Sequence, residues 1–371
     1  MRITILQGAF FPIPPILGGA VEKMWYSLGK AFAAKGHKVF HISRQLGELP
    51  EFEEQNGVQH IRVKGYDTPK SGLVLKLRDF LYTRKALHIL PKNSDILVSN
   101  TFWAPILLPD DLKRVCFVDV QRMPKGQMKY YNATARLRAN STPVADAIRN
   151  ELPESKHAKV VMIPNPLPFV PLEGVDILKK KKVILYTGRV HPEKGLDLLI
   201  KAFKQTDQSY HLQIVGPWEI SAGGGGDAYI NYLRQLASNY PVDFVGPVFN
   251  TEALNSYYKE ASIFVYPSVA EQGETFGLAP LEAMAWGCVP VVSNLSCFQD
   301  FIQQNQNGLI FDHRSPDAVQ QLAYAISQLQ VNAEWRTNLS QQALTVRHTH
   351  SISRIADLFL DDFEQIIQQT S

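Results

Sequence analysis

The chain reads as an α/β protein built from two doubly wound domains, each a mostly parallel sheet flanked by helices. Three observations predict this. Short apolar runs recur along the chain, each followed by a Gly- or Pro-bearing loop and then by apolar residues at helical spacing. At 371 residues the chain is long for a single core. Near its middle the series is broken by Pro164-Asn165-Pro166-Leu167-Pro168, followed by Gly174 and the run Lys179 to Lys182. Domains are therefore expected at 1–170 and 171–350, with 351–371 as a C-terminal helix returning toward the first.

Arg2 to Gln7 reads as a central strand. The loop Gly8 to Gly19 follows, and Ala20 to Lys35 then places Val21, Met24, Trp25, Leu28, Ala31 and Phe32 at helical spacing, with Gly36 as the stop. His37 to Ser43 is the next strand. Gly18-Gly19 at the mouth of the first helix admits two readings, a phosphate cradle or a turn that needs positive φ. Residues 71–90 form an amphipathic segment whose polar face carries Lys76, Arg78, Arg84 and Lys85. It reads as a helix covering a sheet with its charges in water, or as a basic helix on an anionic lipid surface. Strands are expected at 95–100, 114–120 and 160–163. Basic residues recur after the second of these, at Arg122, Lys125, Lys129, Arg136 and Arg138.

The second series opens at Val183. Strands are expected at 183–187, 211–215, 242–245, 263–266, 289–293 and 308–311, and helices at 195–203, 229–238, 251–259, from near Leu278, and at 317–329, 334–347 and 353–368. Gly223 to Gly226 sits too far from its strand to be a dinucleotide fingerprint and reads as a mobile surface loop.

Composition sets bounds. Apolar residues make up 45%, so neither domain is disordered. The three cysteines have no paired spacing and fit reduced, buried thiols. The N-terminus enters a strand at once, and no apolar run approaches the ~20 residues of a membrane span, so a soluble cytoplasmic protein is expected. The net charge of +3 divides into +10 over residues 1–170 and −7 over residues 171–371. A basic half suits an anionic partner or a merely solvated surface.

The motifs that bear chemistry cluster in the second domain. Glu271 to Gly287 follows a buried strand and leads into a helix; Gly273 and Gly277 let the backbone turn and approach a ligand, and the first helical amides attract an anion. Glu274 in the loop and Glu282 one turn inside the helix offer carboxylates to ribose or hexose hydroxyls, or simply complement the helix dipole. Gly188-Arg189-Val190-His191-Pro192-Glu193-Lys194-Gly195 lies between a strand and a helix, so Arg189 and Lys194 can converge on one anion. Together these suggest a diphosphate clamp in which two cations do the work of a metal. No Asp-x-Asp pair, phosphate-loop, His-Glu-x-x-His or Gly-x-Ser-x-Gly motif occurs.

Arg189-x-x-x-x-Lys194 and Glu274-x-x-x-x-x-x-x-Glu282, with Gly18-Gly19, Ile163-Pro164-Asn165 and Tyr266-Pro267-Ser268, resemble the retaining glycosyltransferases of GT-B fold and family 4 type. The resemblance is specific over 183–312 and looser before 170. It implies two Rossmann-like domains facing across a cleft. It also implies that Arg189 and Lys194 bind the diphosphate with the amides of Gly277 and Leu278, that Glu274 holds the transferred sugar, and that Glu282 holds the ribose. Gly188, Thr275 and Phe276 belong to the same donor-binding loops. Gly246-Pro247-Val248 would lie against the base, and Gly18 and Gly19 would meet the phosphates from the first domain. Family members place a histidine after a strand of the first domain; this chain has Phe117-Val118-Asp119-Val120-Gln121-Arg122 there, and Asp119 stands as the candidate for the acceptor-side group. The implied enzyme moves a hexose from a nucleotide-sugar, UDP-glucose as first donor, to a saccharide or lipid-linked saccharide in bacterial envelope or exopolysaccharide synthesis. No cofactor, metal or nucleic acid is expected, and peripheral contact with the inner membrane surface stays open. A sugar-nucleotide epimerase of the same fold and a non-catalytic sugar-nucleotide-binding protein are the alternatives.

Overall fold

The computed structural model describes residues 1–91, 93–171 and 174–370. Lys92, Leu172, Glu173 and Ser371 lie outside the described residues; Leu172 and Glu173 sit beside the expected boundary, and Ser371 ends the expected C-terminal helix. The chain divides into two compact units, residues 1–168 with 350–371, and residues 169–349.

Unit 1 runs β1 (Arg2–Leu6), α1 (Ala20–Ala34), β2 (Lys38–Gln45), β3 (Phe52–Gln55), β4 (Val58–Lys64), α2 (Gly72–His88) and β5 (Ile96–Ser99). It continues with α3 (Ala104–Leu107), α4 (Asp110–Lys113), β6 (Cys116–Val120), β7 (Arg136–Ala139), α5 (Thr142–Asn150) and β8 (Val160–Met162). The strands form one eight-stranded sheet in the order β3-β4-β2-β1-β5-β6-β7-β8. All neighbours are parallel except β3 with β4, which closes the edge as a hairpin. The order reverses between β1 and β5.

Unit 2 runs β9 (Lys181–Thr187), α6 (Leu196–Phe203), β10 (His211–Val215), α7 (Gly226–Leu236), β11 (Val242–Gly246), α8 (Thr251–Glu260) and β12 (Ala261–Tyr266). There follow α9 (Leu278–Ala285), β13 (Val289–Ser293), β14 (Leu309–Phe311), α10 (Ala318–Val331), α11 (Ala333–Ala343) and α12 (Val346–Thr349). Its six parallel strands lie in the order β11-β10-β9-β12-β13-β14, reversing between β9 and β12. Central strands buried on both faces explain the unbroken apolar runs, such as β12, where every residue is buried.

The last helix, α13 (Ile352–Thr370), belongs to unit 1. Its Phe359 ring meets Trp25 of α1 edge-on at 5.1 Å, and Phe363 meets Phe117 of β6 at the same distance. Ile355, Phe359 and Phe363 are fully buried, each worth roughly 1.5–3 kcal/mol of apolar transfer.

Six elements of unit 1 were not anticipated: β3, β4, α3, α4, β7 and α5. The reason for β7 is electrostatic. Its sequence, Arg-Leu-Arg-Ala, looks like loop, yet all four residues are buried. Arg136 pairs with Asp362 of α13 at 3.0 Å and Arg138 with Asp119 at 2.7 Å. The expected basic cluster after β6 is thus corrected: Arg136 and Arg138 hold the sheet together, and Arg122, Lys125 and Lys129 remain exposed. Helix α2 also departs from expectation. Its inward face is polar, with Asp79, Tyr82 and Thr83 buried, whereas Leu73, Leu77 and Leu81 point outward at 83%, 57% and 40% exposure.

Candidate active site

The loops of interest leave the carboxyl ends of β9 and β12, on either side of the reversal in the second sheet, where open α/β sheets bind ligands. After β9 the chain passes through Gly188 to Gly195 before α6, and after β12 it passes through Pro267 to Gly277 before α9. The two loops are bonded to each other. Val269 N–H donates to Glu193 O at 2.9 Å and Ser268 Oγ to the same carbonyl at 3.3 Å. Gly195 has φ 66°, and a Cβ there would stand 2.2 Å from Pro267 O. Only glycine allows that approach.

This zipper brings Lys194 to Glu274, Nζ to Oε2 at 2.7 Å, with the side chains only 7% and 12% exposed. Beneath them Tyr266 and Tyr186 stack at 5.5 Å, and Lys194 Nζ stands 5.4 Å over the Tyr266 ring. Burial, reinforced by the Glu274 charge, pushes both phenols well above their ordinary range, so they stay neutral hydrogen-bonding groups. Tyr186 Oη donates to Arg189 O at 2.8 Å and so shapes the turn carrying Arg189.

Arg189 is partly exposed, its side chain at 44%, and donates to Glu193 Oε1 at 2.8 Å and to Gly223 O at 2.7 Å. Each cation of the expected clamp therefore already has a carboxylate, Glu193 for Arg189 and Glu274 for Lys194. The carbonyl of Gly223 corrects a second expectation. Gly223 to Gly226 is no loose loop, since Gly225 N–H donates to Val190 O and Gly226 N–H to Trp218 O. It braces the Arg189 turn.

Gly277 begins α9 at φ 92°, with the Phe298 ring so near that a Cβ would fall 2.6 Å from it. Leu278 is the first helical residue, as expected. Phe276 is buried against Phe301, and Thr275 lies half-buried between Glu274 and it. Glu282, one turn on, accepts from Tyr258 Oη at 3.1 Å, and Tyr258 Oη is 2.6 Å from Thr187 Oγ1. Gly188 and Gly246 follow β9 and end β11; Gly246 turns at φ 86° against the Trp218 ring, with Pro247 and Val248 next in the chain. Tyr186, Trp218 and Tyr258 were not foreseen, because lone aromatics, two of them inside regular elements and Trp218 in the loop after β10, carry no spacing signal.

In unit 1, Gly18 and Gly19 take φ 81° and 93° at the start of α1. The Glu22 carboxylate folds over Gly19, where a Cβ would meet Oε2 at 2.1 Å. Asp119, the candidate for the acceptor-side group, lies near the end of β6. Its side chain is fully shut from solvent and receives hydrogen bonds from Arg138 at 2.7 Å, Trp25 Nε1 at 2.7 Å and Gln121 Nε2 at 2.8 Å. The Ile163-Pro164-Asn165 segment completes the cradle by accepting from Arg138 at Ile163 O and Asn165 Oδ1. Among the described residues no three His, Cys, Asp or Glu are grouped to hold a metal, and no helix is long and apolar enough to cross a membrane.

Residues 173–345 match the family model described as glycosyl transferases group 1. An uncharacterized glycosyltransferase of Methanocaldococcus jannaschii is 26% identical over 357 residues, covering 86% of this chain and 87% of that protein. Among solved structures, a sucrose-phosphate synthase from Thermosynechococcus elongatus superposes with a TM-score of 0.78 at 20% identity, over all of both chains. HepE of Anabaena, in complex with UDP and glucose, superposes with a TM-score of 0.70 at 16% identity, over 98% of this chain and 100% of that one. These likenesses place both units in the GT-B fold.

Proposed function

For a chain that is a glycosyltransferase with a glycosyl transferases group 1 domain, we propose retaining, metal-independent transfer of a hexose of the family 4 type. The donor is a nucleotide-sugar, a UDP-sugar with UDP-glucose as first choice, in keeping with the UDP and glucose held by the HepE structure. The acceptor is a saccharide or lipid-linked saccharide of envelope or exopolysaccharide synthesis. The observation that carries this is the buried Lys194–Glu274 pair beside the Arg189 turn and the Gly277 helix start.

In this reading the diphosphate takes Lys194 and Arg189 as its cations. Lys194 exchanges part of its bond to Glu274 for a phosphate oxygen, which frees Glu274 to accept from hydroxyls of the sugar. The bond from the anomeric carbon to the diphosphate breaks while that carbon bonds the acceptor oxygen on the same face. The acceptor proton passes to the departing phosphate oxygen, whose growing charge the two cations stabilise. Glu282, aimed by Tyr258, accepts from the ribose, and Gly246-Pro247-Val248 with Trp218 flank the base. Gly18 and Gly19 are proposed as phosphate neighbours on unit 1.

The outward leucines of α2, flanked by Lys70, Lys76, Arg84 and Lys85, support peripheral contact with an anionic membrane surface.

The test is incubation of UDP-glucose with saccharide acceptors, following product and anomeric configuration by proton NMR. Lys194→Ala and Glu274→Ala should each abolish transfer while the fold persists; normal turnover by both removes the site. Donor incubated alone should give no epimer.

A further inference from the structure

Unit 1 carries a pocket of about 600 Å³ at the amino ends of β6, β7 and β8. Arg114 precedes β6, Ala133 to Ala135 lead into Arg136 of β7, and Ser155 to Lys159 lead into β8, while Ile366 and Gln369 of α13 close the far side. Strands β1, β5, β6, β7 and β8 run parallel, so the loop that leaves β1 toward Gly18 and Gly19 starts from the opposite edge. The transfer chemistry has no use for this pocket.

Its wall is basic. Arg114, Arg136 and Lys159 line it, and among the described residues no Asp or Glu does. Arg114 is exposed, and neither it nor Lys159 forms an ion pair among the described residues. Lys159 Nζ donates to Asn132 O at 3.0 Å and to Thr134 O at 2.7 Å, which fixes the ammonium on the wall with one of its three N–H groups left over. Burial lowers the pKa of Lys159, and the charges of Lys156 and Arg136 lower it further. Cations gathered this way repel one another, and a bound anion removes that cost.

Two features oppose an anion. Asp362 accepts from Nε of Arg136 at 3.0 Å, and the carbonyl end of α13, equivalent to about half a negative charge, lies at Gln369. Against the cations of Arg114, Arg136, Lys156 and Lys159 these leave a surplus of about two and a half positive charges, which suits a dianion. The Arg114 guanidinium offers a planar fork to two oxygens of a tetrahedral oxyanion. Ala135, Ala158 and Ile366 add apolar footing for an organic body beside it.

We infer that this pocket is an anion site separate from the donor loops, taking inorganic phosphate or a small phosphomonoester on Arg114, Arg136 and Lys159. The ligand would join the ends of three strands to the last turns of α13 and so brace unit 1. None of this rests on the transferase reading.

The experiment titrates the full chain, held in saturating UDP so that the donor loops are taken, with inorganic phosphate and with phenyl phosphate. Sodium chloride at matched ionic strength is the control. Phosphate should bind at ~1 mM or tighter, and Arg114→Gln should weaken it roughly tenfold, the worth of a charge-assisted hydrogen bond. Ser155→Glu, which sets a carboxylate on the rim, should weaken it at least as much. Both side chains are exposed, so the fold should persist in both variants. At ten times its dissociation constant phosphate should raise the melting temperature of unit 1 by about 3–6 °C and leave that of unit 2 in place. Phenyl phosphate binding more tightly than phosphate supports an organic monoester as the ligand; equal binding supports free phosphate. Binding unchanged in both variants, a melting shift confined to unit 2, or an effect no larger than that of chloride overturns the inference.

Discussion

Replacing Lys194 with methionine deletes one charge and keeps most of the stem's volume, leaving Glu274 buried without its cation. At the observed separation of 2.7 Å the pair attracts with about 6 kcal/mol at an effective dielectric of ~20. Desolvation offsets much of this, so the net cost of breaking such a pair is ~3–5 kcal/mol. Because the two side chains are 7% and 12% exposed, solvent screens little of it. For a domain of this size each kcal/mol moves the melting temperature by ~2–4 °C, which gives a fall of about 6–20 °C. Calorimetric scans of the whole chain should show it in one transition, the other staying put. Lys194→Met with Glu274→Gln should recover much of the loss, a coupling of ~1–3 kcal/mol. UDP affinity should fall by about 10- to 150-fold in Lys194→Met, the value of a charge-assisted hydrogen bond. A single variant within ~0.5 kcal/mol of the parent, with additive double-variant behaviour, would refute the reasoning.

Four other outcomes are expected. Gly277→Ala, strained at φ 92° and 2.6 Å from the Phe298 ring, should cost ~2–4 kcal/mol in denaturant titration, whereas Gly18→Ala, with φ 81° but open space, should cost ~1–2. Asp119→Asn should destabilise unit 1 by ~3–5 kcal/mol through loss of the Arg138 pair; a variant of parental stability without transfer would assign Asp119 to catalysis. Burial lowers His60 and His350 to about 4, and His41 well below its ordinary range. Below pH 6.5 the unfolded chain therefore binds protons the folded one refuses, so stability falls as pH drops from 6.5 toward 4. Asp79, raised to about 6 by burial, acts in the opposite sense between 3.8 and 6. His60→Phe should flatten the slope of stability against pH by up to ~1.4 kcal/mol per unit, and an unaltered slope counts against the burial argument. Finally, Leu73→Glu with Leu77→Glu should abolish co-sedimentation with phosphatidylserine vesicles; undiminished binding would remove α2 as the contact.

The doubly wound plan was legible because its central strands are buried on both faces and so appear as unbroken apolar runs; β12 and β13 are examples. Helix α9 could be placed from Gly277, whose φ 92° is a backbone demand that sequence exposes directly. The strand β7 could not be, because its arginines are neutralised by Asp119 and by Asp362, the latter 226 residues away. No local window sees such a partner. Residue types at Arg189, Lys194, Glu274 and Glu282 pointed to one place, and the structure does join Lys194 to Glu274. What spacing could not reveal is that Glu193 already occupies Arg189, or that Tyr186 and Tyr266 form the floor. The first is an i,i+4 contact inside one loop, where spacing allows several partners, and the second needs β9 laid beside β12, strands distant in sequence. The partners of Asp119 were hidden in the same way: Arg138 and Trp25, which enclose its carboxylate, come from β7 and α1.

The aromatic seam between α13 and the first sheet has a consequence for biosynthesis. Phe359 and Phe363 emerge from the ribosome long after Trp25 and Phe117, the residues they cover. The earlier-made half thus waits with an apolar face uncovered until the end of the chain is released. Holdase chaperones should find their client surface there, and a released chain ending just short of residue 352 should show a protease-resistant middle and a protease-sensitive beginning.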